Sequence, residues 1–308
     1  MQLLRDVRLE EEACLTGLNP LTARQVFDDL TSYLGGRLEE IAQDYWRNRA
    51  GEDTLAQERV ARAADEATVS AYYAQTPQYF YEASYLEASH EKQAWFRVLA
   101  SACRKYRLRR VLDFGGGIGG LVLFLRRRGI ECDYLDVPGK TFDYAAWRFK
   151  RHQQDVSMLD ATAAAGAEQG SYEAVIAWDV LEHVFDLDAT IRKIAGFLKP
   201  GGWLMDKSTF ATPHAHHIGI HLAKHACYSD VKRFSHLVTR HGFTYRGQLK
   251  PNRLSRFLRT CGFPTCVAGV RIVPRLKHGG NFLVHQRLDG SSHGGDVPTC
   301  QSGVPEES

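Results

Sequence analysis

No stretch of this chain holds the roughly 18 consecutive apolar residues needed to cross a bilayer, so no membrane partner is expected. Met1 to Glu12 is charged and lacks the apolar centre of a signal peptide. Cysteine is sparse: seven residues without a C-x-x-C pair, and Cys261 and Cys266 stand too isolated for a zinc ribbon. Scattered thiols of this kind predict a reducing, cytoplasmic setting. Charge of one sign is also lacking. Thirty-nine Lys and Arg against 36 Asp and Glu leave a net charge of +3, too little to imply a nucleic-acid partner. The basic runs at Arg104 to Arg110 and at Arg126-Arg127-Arg128 read as solvated faces and helix C-termini. No internal repeat is visible. A hydrophobic share of 44% and a charged share of 24% fit a globular protein with a sizeable core.

What is present is a dense glycine cluster. Val111-Leu112-Asp113-Phe114 is an apolar run around one carboxylate, and five glycines follow between positions 115 and 120. The amphipathic run Leu121 to Arg128 comes next. The pattern predicts strand, tight turn and helix. Glycines there let the backbone turn sharply and approach a ligand without an intervening Cβ. A dinucleotide-binding fold uses the same geometry, with the fingerprint G-x-G-x-x-G. Further along, Glu131 to Asp136 reads as a second strand ending in a carboxylate, suited to two ribose hydroxyls. Gln153-Gln154-Asp155-Val156 reads as the end of a third strand. Tyr172 to Val184 reads as a fourth strand closing on Asp179-Val180-Leu181-Glu182-His183-Val184.

In order and spacing these segments resemble class I S-adenosylmethionine (SAM)-dependent methyltransferases, from about residue 109 to about residue 210. The D-x-L-E-H-V turn resembles the branch that includes ubiquinone-type O-methyltransferases, and dinucleotide folds have no need of it. The Lys199-Pro200-Gly201-Gly202 turn before a fifth strand is similar to the family as well. The resemblance implies an α/β, Rossmann-like seven-stranded sheet with helices on both faces and SAM as cofactor. It implies cofactor contacts from Asp113, Gly115, Gly117, Asp136, Asp155, Val156, Trp178 and Asp179, with Asp155 matching the position that meets the adenine amino group.

Residues 1–107 look helical and are expected to form a cap. Apolar residues recur at helical spacing from Leu21 to Trp46, with a break at Gly35-Gly36, and from Ser84 to Tyr106. Glu52 to Ala74 reads as a further helix. The methyltransferase domain is expected over 108–287, with closing strands at Val267 to Val273 and Asn281 to His285, and helices at Tyr228 to Arg240 and Asn252 to Thr260. Residues 288–308 are rich in Gly, Ser, Pro and acids and are expected to form a disordered tail. A homodimer through the N-terminal helices is a further expectation.

Two segments suit the acceptor side. Tyr72 to Tyr81 crowds aromatic rings before the core, and Tyr73 is the candidate for a cation–π contact with a sulfonium. Between Phe210 and His225 lie five histidines, and His217, His221 and His225 repeat every four residues. A catalytic base, a metal group and a structural cluster are all compatible with that spacing. No adjacent carboxylate completes a familiar metal motif, so the site prediction names no metal. It names His183, His216, His217 and His221 as candidate bases. A sulfonium methyl is already activated, so aligning the acceptor and excluding water are the chief tasks. The function expected is methyl transfer to an O or N atom of a small molecule in specialised metabolism. A SAM-cyclising or SAM-cleaving enzyme and a non-catalytic SAM-binding subunit are the alternatives on the same fold.

Overall fold

A computed structural model describes residues 17–41, 43, 65–75, 78–163, 169–210, 222–251, 270–273 and 282–288. Four helices come first: α1 (Pro20–Leu34), α2 (Glu66–Gln75), α3 (Gln78–Ala88) and α4 (His90–Lys105). An alternating core follows: β1 (Arg110–Phe114), α5 (Gly120–Arg126), β2 (Glu131–Asp136), α6 (Lys140–Arg151), β3 (Met158–Asp160), β4 (Tyr172–Trp178), α7 (Leu187–Phe197) and β5 (Leu198–Lys207). A 3-10 segment (Ala223–Ser229), α8 (Val231–Arg240), β6 (Phe243–Pro251), β7 (Val270–Val273) and β8 (Leu283–Arg287) complete it.

The sheet order is β3-β2-β1-β4-β5-β8-β6-β7. β1 to β5 pair in parallel, and β8 lies antiparallel between β5 and β6. Seven strands therefore give the expected Rossmann-like pattern, and the short β7 adds an eighth at the β6 edge. The central strands are buried on both faces, which explains their nearly continuous apolar runs. One face packs Phe96, Leu99, Val122 and Leu125 against Val111, Tyr134 and Ile176. The other packs Ile191, Ile194, Phe234 and Leu237 against Leu112, Val175 and Leu204.

Helix boundaries follow local chemistry. Asn19 caps α1 by accepting the Thr22 N–H, Pro20 occupies its first turn, and Gly35 ends it at φ 67°. The helix expected from Ser84 to Tyr106 is two helices. Ser89 takes an extended conformation and its Oγ accepts the Lys92 N–H at 3.1 Å, starting α4 afresh. Phe96, Leu99, Ala102 and Cys103 of α4 belong to the main core cluster. The satellite is smaller: α1 and α3 share an apolar cluster with Ile118 and Tyr144.

The third strand also needs correcting. β3 begins at Met158, after the segment expected to end it. Asp155 is exposed at the amino end of the strand, and Val156 packs toward the core. β6, absent from the expected elements, mixes Thr244, Arg246, Gln248 and Lys250 with Tyr245 and the buried Leu249, and is bulged between Tyr245 and Gly247, which hides the two-residue period. The strand at 270–273 falls within its expected segment and the strand at 283–287 overlaps the other but runs on to Arg287, whereas Asn252 to Thr260 and the tail from 289 lie outside the described residues.

Candidate active site

The carboxyl ends of β1, β2 and β4 meet at one edge of the sheet, where open α/β sheets bind ligands. The glycine loop after β1 is held to β2 by its own backbone. The N–H groups of Gly115 and Gly116 donate to Leu135 O at 2.8 and 3.1 Å. Gly117 N–H donates to Asp136 Oδ2 at 2.7 Å, and Val137 N–H to Oδ1 at 2.7 Å. The Tyr134 hydroxyl donates to Gly117 O at 2.7 Å. Burial raises the pKa of Asp136, and the two amide donors oppose that shift by favouring the carboxylate.

Two glycines are required for different reasons. Gly115 has φ +74°, and a Cβ there would lie 2.4 Å from a Val180 methyl. Gly117 has φ +53° with no atom within 4 Å of the Cβ position, so it opens onto empty space.

That space is a cavity of about 270 Å³. One wall is Phe114, Gly115, Gly117, Leu135, Asp136 and Val137, continued by Ala161 after β3. Facing residues come from the β4 turn (Asp179, Val180 and His183 to Asp186), from α7 (Ala189, Thr190, Lys193) and from α2 (Glu66, Val69, Ser70, Tyr73). Thr141 contributes from α6. Among the described residues, four carboxylates line it, Glu66, Asp136, Asp179 and Asp186, against one ammonium, Lys193. Burial lowers the Lys193 pKa, with Glu66 and Asp160 opposing.

The sequence also matches a family model described as "Methyltransferase domain" over residues 46–248, more than half of the chain. The chain belongs to that family. It carries a methyltransferase domain of the SAM-dependent class. The ubiquinone biosynthesis O-methyltransferase of Xanthomonas campestris pv. campestris (strain B100) is 31% identical over 153 residues, 49% of this chain and 61% of that protein. The hybrid PKS-NRPS synthetase mpsA of Macrophomina phaseolina (strain MS6) is 33% identical over 114 residues, 34% of this chain and 3% of that protein. The chain thus spans less than two thirds of these relatives. Among solved structures, YcgJ of Bacillus subtilis aligns with 65% of this chain and 99% of its own, at TM-score 0.44 and 14% identity.

The cavity of the methyltransferase fits a cationic donor. Its carboxylates outnumber its ammonium, and Asp136 stands at the expected strand end beside the open Gly117. Of the residues named from sequence, Tyr73, Gly115, Gly117, Asp136, Asp179 and His183 come together around it. Asp113 and Trp178 do not line it. Asp113 is buried behind the loop, its pKa pushed up to about 7 by burial while Lys92 opposes the shift. Trp178 packs edge-on to Phe96 and Phe282, and the Lys92 ammonium lies 3.7 Å from its ring centroid and 3.8 Å from Asp179 Oδ2. Asp155 and Val156 do not reach the cavity, because they precede β3. Ala161 occupies the wall at its carboxyl end, while Asp160 turns to bond the Thr162 N–H and hydroxyl. Met158-Leu159-Asp160 repeats the pattern Tyr134-Leu135-Asp136, in register with it, and that repetition was the available signal.

The acceptor side is partly described. His183 is buried, lines the cavity and has its ring 5.8 Å from that of Tyr73. His216, His217 and His221 lie outside the described residues. His225 is structural: its Nε2 sits 2.8 Å from Val184 O, and burial lowers its pKa. Beneath the β4 turn lie two buried acids. Glu182 Oε1 accepts the Thr209 N–H at 2.8 Å, and Asp206 Oδ1 accepts the Ser208 hydroxyl at 2.5 Å. Burial pushes the Asp206 pKa up to about 8, and Glu182 adds to the shift. Sequence reasoning missed Glu66, Ser70, Thr190 and Lys193, which carry no local pattern and converge only through folding. Among the described residues, no group of three His, Cys, Asp or Glu is arranged to hold a metal, and no helix is long and apolar enough to cross a membrane.

Proposed function

We propose that the methyltransferase moves a methyl group from SAM to an O or N atom of a small molecule, in specialised metabolism. The observation carrying this reading is one cavity with Asp136 and the glycine loop on one wall and His183 and Tyr73 on the facing one. When bound, SAM supplies a methyl already activated on a sulfonium. Asp136 would hold the ribose hydroxyls: each of its oxygens already accepts one backbone N–H and keeps a further lone pair. Gly117 leaves room for close backbone approach. Asp179 and Glu66 offer negative charge to the donor's cationic centre, and the Tyr73 ring offers its π face. His183, on the cavity wall facing Asp136, takes the proton from an acceptor hydroxyl or ammonium as a general base. A cavity with four carboxylates and one ammonium favours neutral or cationic acceptors over carboxylates and phosphates.

Incubation with SAM and a panel of phenols, alcohols and amines, followed by mass spectrometry, tests the reading. S-adenosylhomocysteine together with a methylated acceptor is the expected result. Methylthioadenosine released from SAM without an acceptor would replace methyl transfer by SAM cleavage. Donor binding without product across a broad panel would favour a binding subunit.

A further inference from the structure

The glycine loop rests on two supports. Its first half is bonded to β2. Its second half leans on α6 and on the N-terminal helices, through a buried arginine that the reaction itself does not use. Arg148 of α6 is 1% exposed. Its Nε donates to Asp29 Oδ2 of α1 at 3.0 Å. Its two terminal nitrogens meet both oxygens of Glu87 of α3, at 2.8 and 3.0 Å. Nη1 also donates to Ile118 O at 2.7 Å, within the glycine loop. The Ile118 side chain lies in the apolar cluster shared by α1 and α3. The next residues fit as closely. A Cβ on Gly119 would lie 2.6 Å from the Phe149 ring, and one on Gly120 would lie 2.4 Å from the Glu87 carboxyl.

We propose that Arg148 is a positioning residue that links the seating of α1 and α3 to the shape of the glycine loop, so that donor binding and the docking of these helices reinforce each other. This rests on the assignment of the donor to the loop. A simple strut would need only the ion pairs to the two acids. The fourth bond, to a loop carbonyl, ties the same guanidinium to the surface the donor meets. Among the described side chains, neither α1 nor α3 supplies a residue to the cavity wall, so any response of these helices to the donor has to be transmitted. By linkage, whatever loosens the two helices lowers donor affinity by the factor through which the donor tightens them.

The test combines calorimetry with S-adenosylhomocysteine and hydrogen exchange along α1 and α3, with and without that ligand. In the wild type, the ligand should slow exchange in both helices. Arg148→Lys keeps the charge, but a single ammonium cannot span Asp29, Glu87 and Ile118 O together. It should weaken S-adenosylhomocysteine binding by about tenfold and abolish the transmitted protection. If Arg148→Lys fails to fold, Asp29→Asn gives the same readout from the α1 side, with smaller losses of affinity and protection. Unchanged affinity and protection in the folded variant would overturn the coupling, as would wild-type binding that leaves α1 and α3 unprotected. No binding by the wild type at all would overturn the donor assignment instead.

Discussion

The two walls of the cavity are made by different means. The donor wall is local and built of backbone: the loop amides, Leu135 O and Asp136 lie within 22 positions and bond one another directly. The acceptor wall is dispersed and built of side chains, from Glu66 on α2 through His183 to Lys193 on α7. Backbone geometry can recur with many sequences, whereas a wall of side chains changes with every substitution. On the reading proposed above, the fold holds the donor by backbone geometry and leaves the choice of acceptor to side chains.

The largest expected effect sharpens this contrast. With an acceptor identified, His183→Ala should lower the single-turnover rate by about 10²–10⁴, the usual range for a general base. Donor affinity measured by calorimetry should stay near wild type. An equal fall in both would mean that the β4 turn serves the donor as well, and the two walls would merge into one.

Asp136→Ala should act the other way. Losing charge-assisted hydrogen bonds to the donor should weaken SAM binding by about 2–4 kcal/mol. Titration calorimetry reads this directly, and unchanged affinity would remove Asp136 from the donor wall. The glycine pair then separates support from contact. Gly115→Ala combines a left-handed φ with a collision at Val180, so thermal unfolding should show a loss of about 1–3 kcal/mol. Gly117→Val meets no neighbouring atom but puts a β-branched residue at φ +53°, so it should fold with a strain cost of about 1–3 kcal/mol, fill the cavity and abolish SAM binding.

The smallest effect concerns pH. Burial lifts the folded-state pKa of Asp206 to about 8, above its ordinary carboxylate value near 4. Between those values the unfolded chain has released the proton that the folded chain retains, so this acid makes stability fall as pH rises from about 4 to about 8. Asp113, raised to about 7, acts in the same direction. Asp206→Asn stays neutral and can still accept from Ser208. Its melting temperature should fall less than that of the wild type between pH 5 and pH 8. Parallel curves would show that Asp206 is ionised in the folded protein.

The same contrast explains what the sequence made legible. β1, β2, β4 and the glycine loop were readable because apolar runs, strand-ending acids and glycines are neighbours in the chain. β3 slipped because Asp155 offered an acid too early, and the three-residue strand Met158–Asp160 is too short to show a period. Ser89 was passed over as a helix break because the apolar spacing continues across it. β6 was hidden by polar residues and a bulge. Tyr73 was found from aromatic crowding, but Glu66 and Lys193 look like any solvated helix charge until the fold faces them across a cavity. The partners of Arg148 lie 119 and 61 positions away, beyond any local pattern.

Glu182 bonds two amides that are far apart in the chain. Its side chain accepts the Thr209 N–H at 2.8 Å, and its own carbonyl accepts the Leu222 N–H at 3.3 Å. The described residues that flank the histidine-bearing segment, Thr209 and Leu222, are thus fastened to a single residue, next to His183. The entropy of closing such a loop changes only slowly with its length, by about 0.6 kcal/mol per doubling. Insertions or deletions there are therefore nearly free of consequence for the sheet. One residue that holds both flanks thereby insulates the sheet from changes of length between Thr209 and Leu222.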